Sequence, residues 1–105
     1  MPTPSAKYTD IKTRMQAGIG FRAHYKGPST PGNPEYHVLP CLMGWNAAGQ
    51  EKVLGFKYNG GNNGEGWRCF LVADFGDIHD SNAHPPTVGA VNEATQVCIE
   101  TIDHT

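Results

Sequence analysis

Apolar and polar residues alternate along most of this chain in short runs broken by glycine and proline, a period-two pattern that predicts strands. "IGFRAHYKG" sets Phe21, Ala23 and Tyr25 against Arg22, His24 and Lys26, so a strand here buries the first set and wets the second. "YHVLPCLMGWN" (36–46) is almost continuously apolar. Its Pro40 lacks the amide that a central ladder position needs, so the strand lies at an edge or is bulged there. "NAAGQ" (46–50) turns the chain into "EKVLGFKYNGG", where Leu54, Phe56 and Tyr58 alternate with Val53, Gly55 and Lys57. "WRCFLVAD" follows, with Trp67, Cys69, Leu71 and Ala73 alternating with Arg68, Phe70, Val72 and Asp74, and "QVCIETI" (96–102) supplies a last strand.

Other stretches break the alternation. "YTDIKTRMQAG" offers Thr9 as an N-cap, Ile11 and Met15 four apart, and Gly18 as a stop, which predicts one short helix. "GPSTPGNPE" (27–35) has no apolar residue to bury and reads as an exposed loop, and "NGGNNGEG" (59–66) as a hairpin tip. "HPPTVGAVNEATQ" (84–96) reads as an arm or as a short helix over 90–95. The expected architecture is mainly β: a single domain over 1–105, built as a small SH3-like or Sm-like antiparallel β-barrel of about five strands. Residues 1–18 hold the short N-terminal helix, 19–78 the barrel strands, and 79–105 a turn region with the last strand. A small barrel is filled by its own side chains, so whatever it recognises must dock on its outside.

Composition changes this picture at a few points. A chain of 105 residues supports one small core. A net charge of −2 with few charged residues argues against the basic face that phosphate-backbone binding requires. No apolar run reaches the ~20 residues of a membrane span, and the opening stretch lacks a basic segment followed by an apolar one, so a cytoplasmic location is expected. Cys41, Cys69 and Cys98 are odd in number, widely spaced and set among apolar residues, which reads as reduced core thiols. With no CxxC pair, a zinc ribbon has no support.

The succession "FRAHYKG", "EYHVLPCLMG", "EKVLGFKY" and "WRCFLVADF" resembles the strand order and landmarks of the WYL domain, a small β-barrel found in many bacterial transcriptional regulators. The resemblance covers residues 20–78. Tyr25 falls at the family's early strand tyrosine, Val38 and Pro40 at its second-strand opening, and Arg68 with Phe70 at its later arginine, any residue, phenylalanine pattern. The eponymous Trp-Tyr-Leu position is Val53, Leu54 and Gly55 here, and Asp74 or its neighbours stand where a second arginine is expected. The resemblance implies a ligand-binding module for nucleotides or nucleic acid, in this case without a helix-turn-helix.

Candidate chemistry follows from the polar strand positions. Arg22, His24, His37, Lys57, Tyr58 and Arg68 would form a patch for a phosphate or carboxylate if their faces coincide, with Arg68 as a bidentate fork and Tyr58 or Trp45 as a stacking surface. Any half-solvated sheet alternates in this way, so the pattern alone has low specificity. "DFGDIHDSNAH" gathers Asp74, Asp77, His79, Asp80 and His84, residue types that ligate transition metals, but in a turn-rich segment where Asp and Asn usually cap their own backbone. Cys41 or Cys69 beside His24 or His37 would need an accessible cationic setting, and their neighbours are apolar. No glycine-rich phosphate loop opens a helix. The expectation is a non-enzymatic module without a cofactor, binding a small anionic or nucleotide ligand. Its alternatives are a protein-interaction module with an exposed apolar patch near Met43 and Trp45, and a metal-dependent hydrolase using residues 77–84. Unpaired barrel edges favour a homodimer.

Overall fold

A computed structural model describes residues 3–26, 34–59 and 64–105. Helix α1 spans Ala6–Ala17; the strands are β1 (Phe21–His24), β2 (Glu35–Trp45), β3 (Glu51–Asn59), β4 (Gly66–Leu71), β5 (His79–Asp80) and β6 (Thr101–Ile102), with a 3-10 turn at Val72–Asp74. The mainly β expectation with one short helix holds. All pairings are antiparallel, in the order β4-β3-β2-β1-β5, and β6 joins the far end of β2. The path has two ends, so the sheet is not closed into the sealed cylinder expected. The 3-10 turn ends β4 before Val72 and carries the chain across, and Tyr25 and Phe75 form an isolated bridge beside β1.

The helix begins earlier than expected. Ser5, not Thr9, is the N-cap: its hydroxyl accepts the Tyr8 amide at 3.1 Å. The Glu51 carboxylate in turn accepts the Ser5 amide at 2.7 Å and its hydroxyl at 2.6 Å, which pins the start of α1 to the start of β3. Starting at Ala6 brings Tyr8 and Ile11 onto one buried stripe. Gly18 ends the helix as expected, with φ of 72°.

Pro40 sits in an interior strand, and the register of β2 against β3 skips Cys41 immediately after it, so the bulge reading is the correct one. Opposite Pro40 stands Gly55, where a Cβ would lie 2.6 Å from a Val38 methyl. The register then assigns the faces. Phe21, Ala23, Tyr36, Val38, Met43, Val53 and Phe70 point toward α1 and form one buried cluster with Tyr8, Ile11, Tyr25, Trp45, Val72 and Phe75. Tyr8 stacks on Trp45 at 5.5 Å, and Tyr25, Phe70 and Phe75 pack with centroids about 5 Å apart. Met43 and Trp45 are therefore core residues, and the exposed patch expected around them is absent; the exposed large apolar residues described are Ile19, Trp67 and Val97.

The last strand is also shorter than expected. Within this segment only Thr101–Ile102 pairs with β2, and residues 90–95 hold a turn at 93–95 and no helix. Gly44 makes this docking possible, because a Cβ there would stand 2.0 Å from the Thr101 carbonyl oxygen. Cys69 and Cys98 are joined in a disulfide across 29 residues, which corrects the reading of all three cysteines as reduced. Cys41 is a free thiol whose pKa burial pushes up. The 27–33 part of the expected long loop, and residues 60–63 of the hairpin tip, lie outside the described residues.

Candidate functional site

The second face of the sheet, away from α1, carries Arg22, His37, Leu39, Leu54, Phe56, Trp67 and Cys69, by the same register. Residues 81–100 cross it as an irregular strap. At the upstream end the Ser81 amide bonds the Gly20 carbonyl at 3.1 Å, Ser81 Oγ lies 2.8 Å from His37 Nδ1, and the Tyr58 hydroxyl donates to the Ala83 carbonyl at 3.4 Å. At the downstream end the Glu100 amide bonds the Trp45 carbonyl at 3.0 Å, and the Asp103 amide bonds that of Met43 at 2.9 Å. Between them the disulfide ties Cys98 to Cys69 on β4.

Under the strap lies a groove of about 340 Å³. Leu54 and Trp67 line it from the sheet, and residues 89–92 with Thr95 and Gln96 line it from the strap. Trp67 is 41% exposed and meets Phe56 edge to face, with centroids 5.5 Å apart and ring planes at 88°. The Gln96 side chain is occupied: its Oε1 accepts the Cys98 and Ile99 amides, each at 2.9 Å, and its Nε2 donates to the Ile99 carbonyl at 2.7 Å. The Asn92 carboxamide oxygen accepts the Ala94 amide at 3.0 Å, which aligns the turn. The groove therefore combines an indole surface with amide and hydroxyl groups, and none of the described residues that line it is charged.

The residues expected to bind a ligand are spread over two faces. Arg22, His24, His37 and Tyr58 belong to the strap side. Arg22 pairs with Glu35 at 3.3 Å, and Glu35 also stands 3.9 Å from His37 Nε2. His37 is buried, and desolvation lowers its pKa, with the Arg22 charge adding to that and Glu35 opposing it, which favours the uncharged ring. Its contact with Ser81 is a structural anchor, because Ser81 Oγ also accepts the Ala83 amide at 3.1 Å. Lys57 and Arg68 are on the helix side of the register. Lys57 is fully buried, bonds the Gly64 carbonyl and places its ammonium 5.0 Å from the Tyr36 ring centroid. Burial, then the Arg68 charge, lowers its pKa. Trp45 is sealed against Tyr8.

A second cleft of about 220 Å³ lies among His24, Lys26, Asp74 and Gly76. In the acidic cluster Asp80 is paired with Arg14 at 2.8 Å, and the described residues contain no group of three or more His, Cys, Asp or Glu side chains able to hold a metal ion. Among the described residues no helix is long and apolar enough to cross a membrane.

The groove residues Asn92 and Thr95 escaped the sequence reading, because a segment without periodicity gives no sign of what it packs on. One clue was available: Trp67 and Cys69 share a face in the alternation of β4. No family model matches the chain, and neither a curated protein nor a solved structure shows significant similarity to it.

Proposed function

We propose that this protein is a non-enzymatic binding module that takes a small, neutral ligand in the groove beside Trp67. The observation that carries the reading is the lining itself: an exposed indole, an apolar floor, hydroxyl and amide groups, and no charge among the described residues. Pockets of this make-up and of roughly 300 Å³ or more accommodate one ring-sized molecule, with the apolar surface supplying affinity and a few polar groups supplying orientation. A sugar ring or a nucleobase has the required flat face with hydrogen-bonding groups at its edge. A nucleotide would enter by its base, since Arg22, Lys57 and Arg68 do not share one face and so do not support recognition through phosphate.

The test is a fluorescence and thermal-shift titration with methyl glycosides, nucleosides and inorganic phosphate, with and without a chelator. A neutral compound should bind regardless of chelator, and Trp67→Ala should weaken it at least tenfold. Binding confined to phosphate, lost in Arg68→Ala and kept in Trp67→Ala, would overturn the reading.

A protein-interaction role is the second reading, favoured by one observation: β4 is a terminal strand flanked by the exposed Trp67 and Val97, an edge that a partner strand or a second copy could extend. Silence across the ligand panel would select it. Kinship with the WYL domain is part of the proposal and rests on the strand landmarks alone. The Cys69–Cys98 bond supports an oxidising compartment in place of the cytoplasmic location expected.

A further inference from the structure

Residues 84–97 are attached to the sheet in an unusual way. Their hydrogen bonds among the described residues stay within the C-terminal segment: Ala94, Thr95 and Gln96 to Asn92, Gln96 to Cys98 and Ile99, and Glu93 to His104 at 2.9 Å. Most of them are exposed or only partly covered, and Val97, next to Cys98, is 95% exposed. Hydrogen bonds to the sheet resume only at Glu100. The one covalent tie across this span is the disulfide, and Cys69, its partner on β4, is itself exposed.

We infer that the Cys69–Cys98 disulfide is a thiol-exchange site that holds the outer wall of the Trp67 groove in place, so that reduction opens the groove while the sheet and helix persist. This rests on the groove being the binding site only for its effect on ligand; the opening itself does not. In the exchange a thiolate of a dithiol reductant attacks the Sγ of Cys69, the more exposed of the two residues, and the S–S bond breaks with Cys98 leaving as thiolate. The reductant's second thiolate then displaces Cys69 from the mixed disulfide, so the reductant ends oxidised and both cysteines end reduced. Residues 89–96, the strap side of the groove, then keep the exposed Glu93–His104 pair and the contacts at the ends of the strap, but no covalent tie to the sheet. Local openings of this kind occur where buried apolar contact is sparse and backbone hydrogen bonds are exposed.

The experiment compares the native protein, the protein in dithiothreitol, and the Cys69→Ser, Cys98→Ser double variant by amide hydrogen exchange and by acrylamide quenching of tryptophan fluorescence. Trp67→Phe serves to separate the buried Trp45 signal. Reduction should speed exchange at least tenfold over residues 84–98, leave α1 and β1 to β3 protected, and raise Trp67 quenching about twofold; reoxidation should reverse both changes. Unchanged exchange across 84–98 would overturn the inference, and so would loss of protection throughout β1 to β3, which would make the bond a general structural staple. If the double variant does not fold, the reversible reduction of the native chain gives the same readings. Because no ligand enters these measurements, they stand or fall apart from the titration above: an open strap with no neutral ligand refutes the binding reading alone.

Discussion

The two faces of the sheet are covered by opposite means. One lies under a capped helix and a continuous cluster of buried aromatic and aliphatic side chains. The other lies under a strap with no regular structure across the groove, hydrogen-bonded to the sheet at its two ends and joined between them by one disulfide. The first cover derives its strength from apolar burial, which is spread over many residues and cannot be undone by a single event. The second can be released by breaking one bond. The lesson is that this small fold concentrates its stability on one side and leaves the other adjustable, which is where a binding groove is expected.

The sharpest way to break the comparison is to hollow out the helix side. Phe70→Ala removes a ring at the centre of the aromatic cluster and should cost roughly 3–5 kcal/mol in a denaturant titration. A loss below about 1 kcal/mol would mean that the cluster does not carry the fold.

Next in size is the link between the C-terminal segment and α1. Asp103 is buried. Burial alone would raise its pKa, but hydrogen bonds from the Thr105 hydroxyl, the Tyr8 hydroxyl at 2.7 Å, the Thr105 amide and the Lys12 ammonium outweigh it and hold the carboxyl well below the usual range. Asp103→Asn should cost about 1–3 kcal/mol, since it removes the charge and leaves one acceptor oxygen for donors that converge on both carboxylate oxygens. The pH dependence follows from the direction of the shifts. The Asp103 contribution is complete above the unfolded value near 3.8 and is lost as pH falls below it; neutral, buried His37 destabilises the fold progressively as pH falls below 6.5. Melting temperature against pH should therefore decline in two stages, and Asp103→Asn should flatten only the lower one.

The smallest expected effect sharpens the contrast from the strap side. Trp67→Ala should change stability by no more than about 1 kcal/mol, because the ring is partly exposed at a terminal strand, while removing the proposed ligand affinity. A large stability loss would make the indole a core residue and the groove incidental.

Much of the helix side was legible in the sequence. Alternation located β1, β3 and β4 and a continuous apolar run located β2, Gly18 marked the end of the helix, and Pro40 narrowed β2 to an edge or a bulge, because each of these is a local constraint on the backbone. The choice of inner face was not legible on β3: Val53, Gly55 and Lys57 look less apolar than Leu54, Phe56 and Tyr58, yet they are the set turned toward α1. Lys57 can be there because Gly64 and Tyr36 receive its ammonium. The candidate site was harder to read. Arg22 and Arg68 were each recognisable as polar strand positions, but the registers that set them on different faces are long-range facts. Residues 84–97 follow no period at all, and the pairing of Cys69 with Cys98 depends on where that unpatterned segment runs.

The clip between Ser5 and Glu51 also bears on the order in which the chain assembles. The acceptor that completes the helix cap is 46 residues away at the turn end of the β2–β3 hairpin, and the helix itself is short with only a narrow apolar stripe. Residues 6–17 therefore gain their partners only after that hairpin has formed, and α1 is a late arrival in folding: substitutions along it should speed unfolding and leave the refolding rate nearly unchanged.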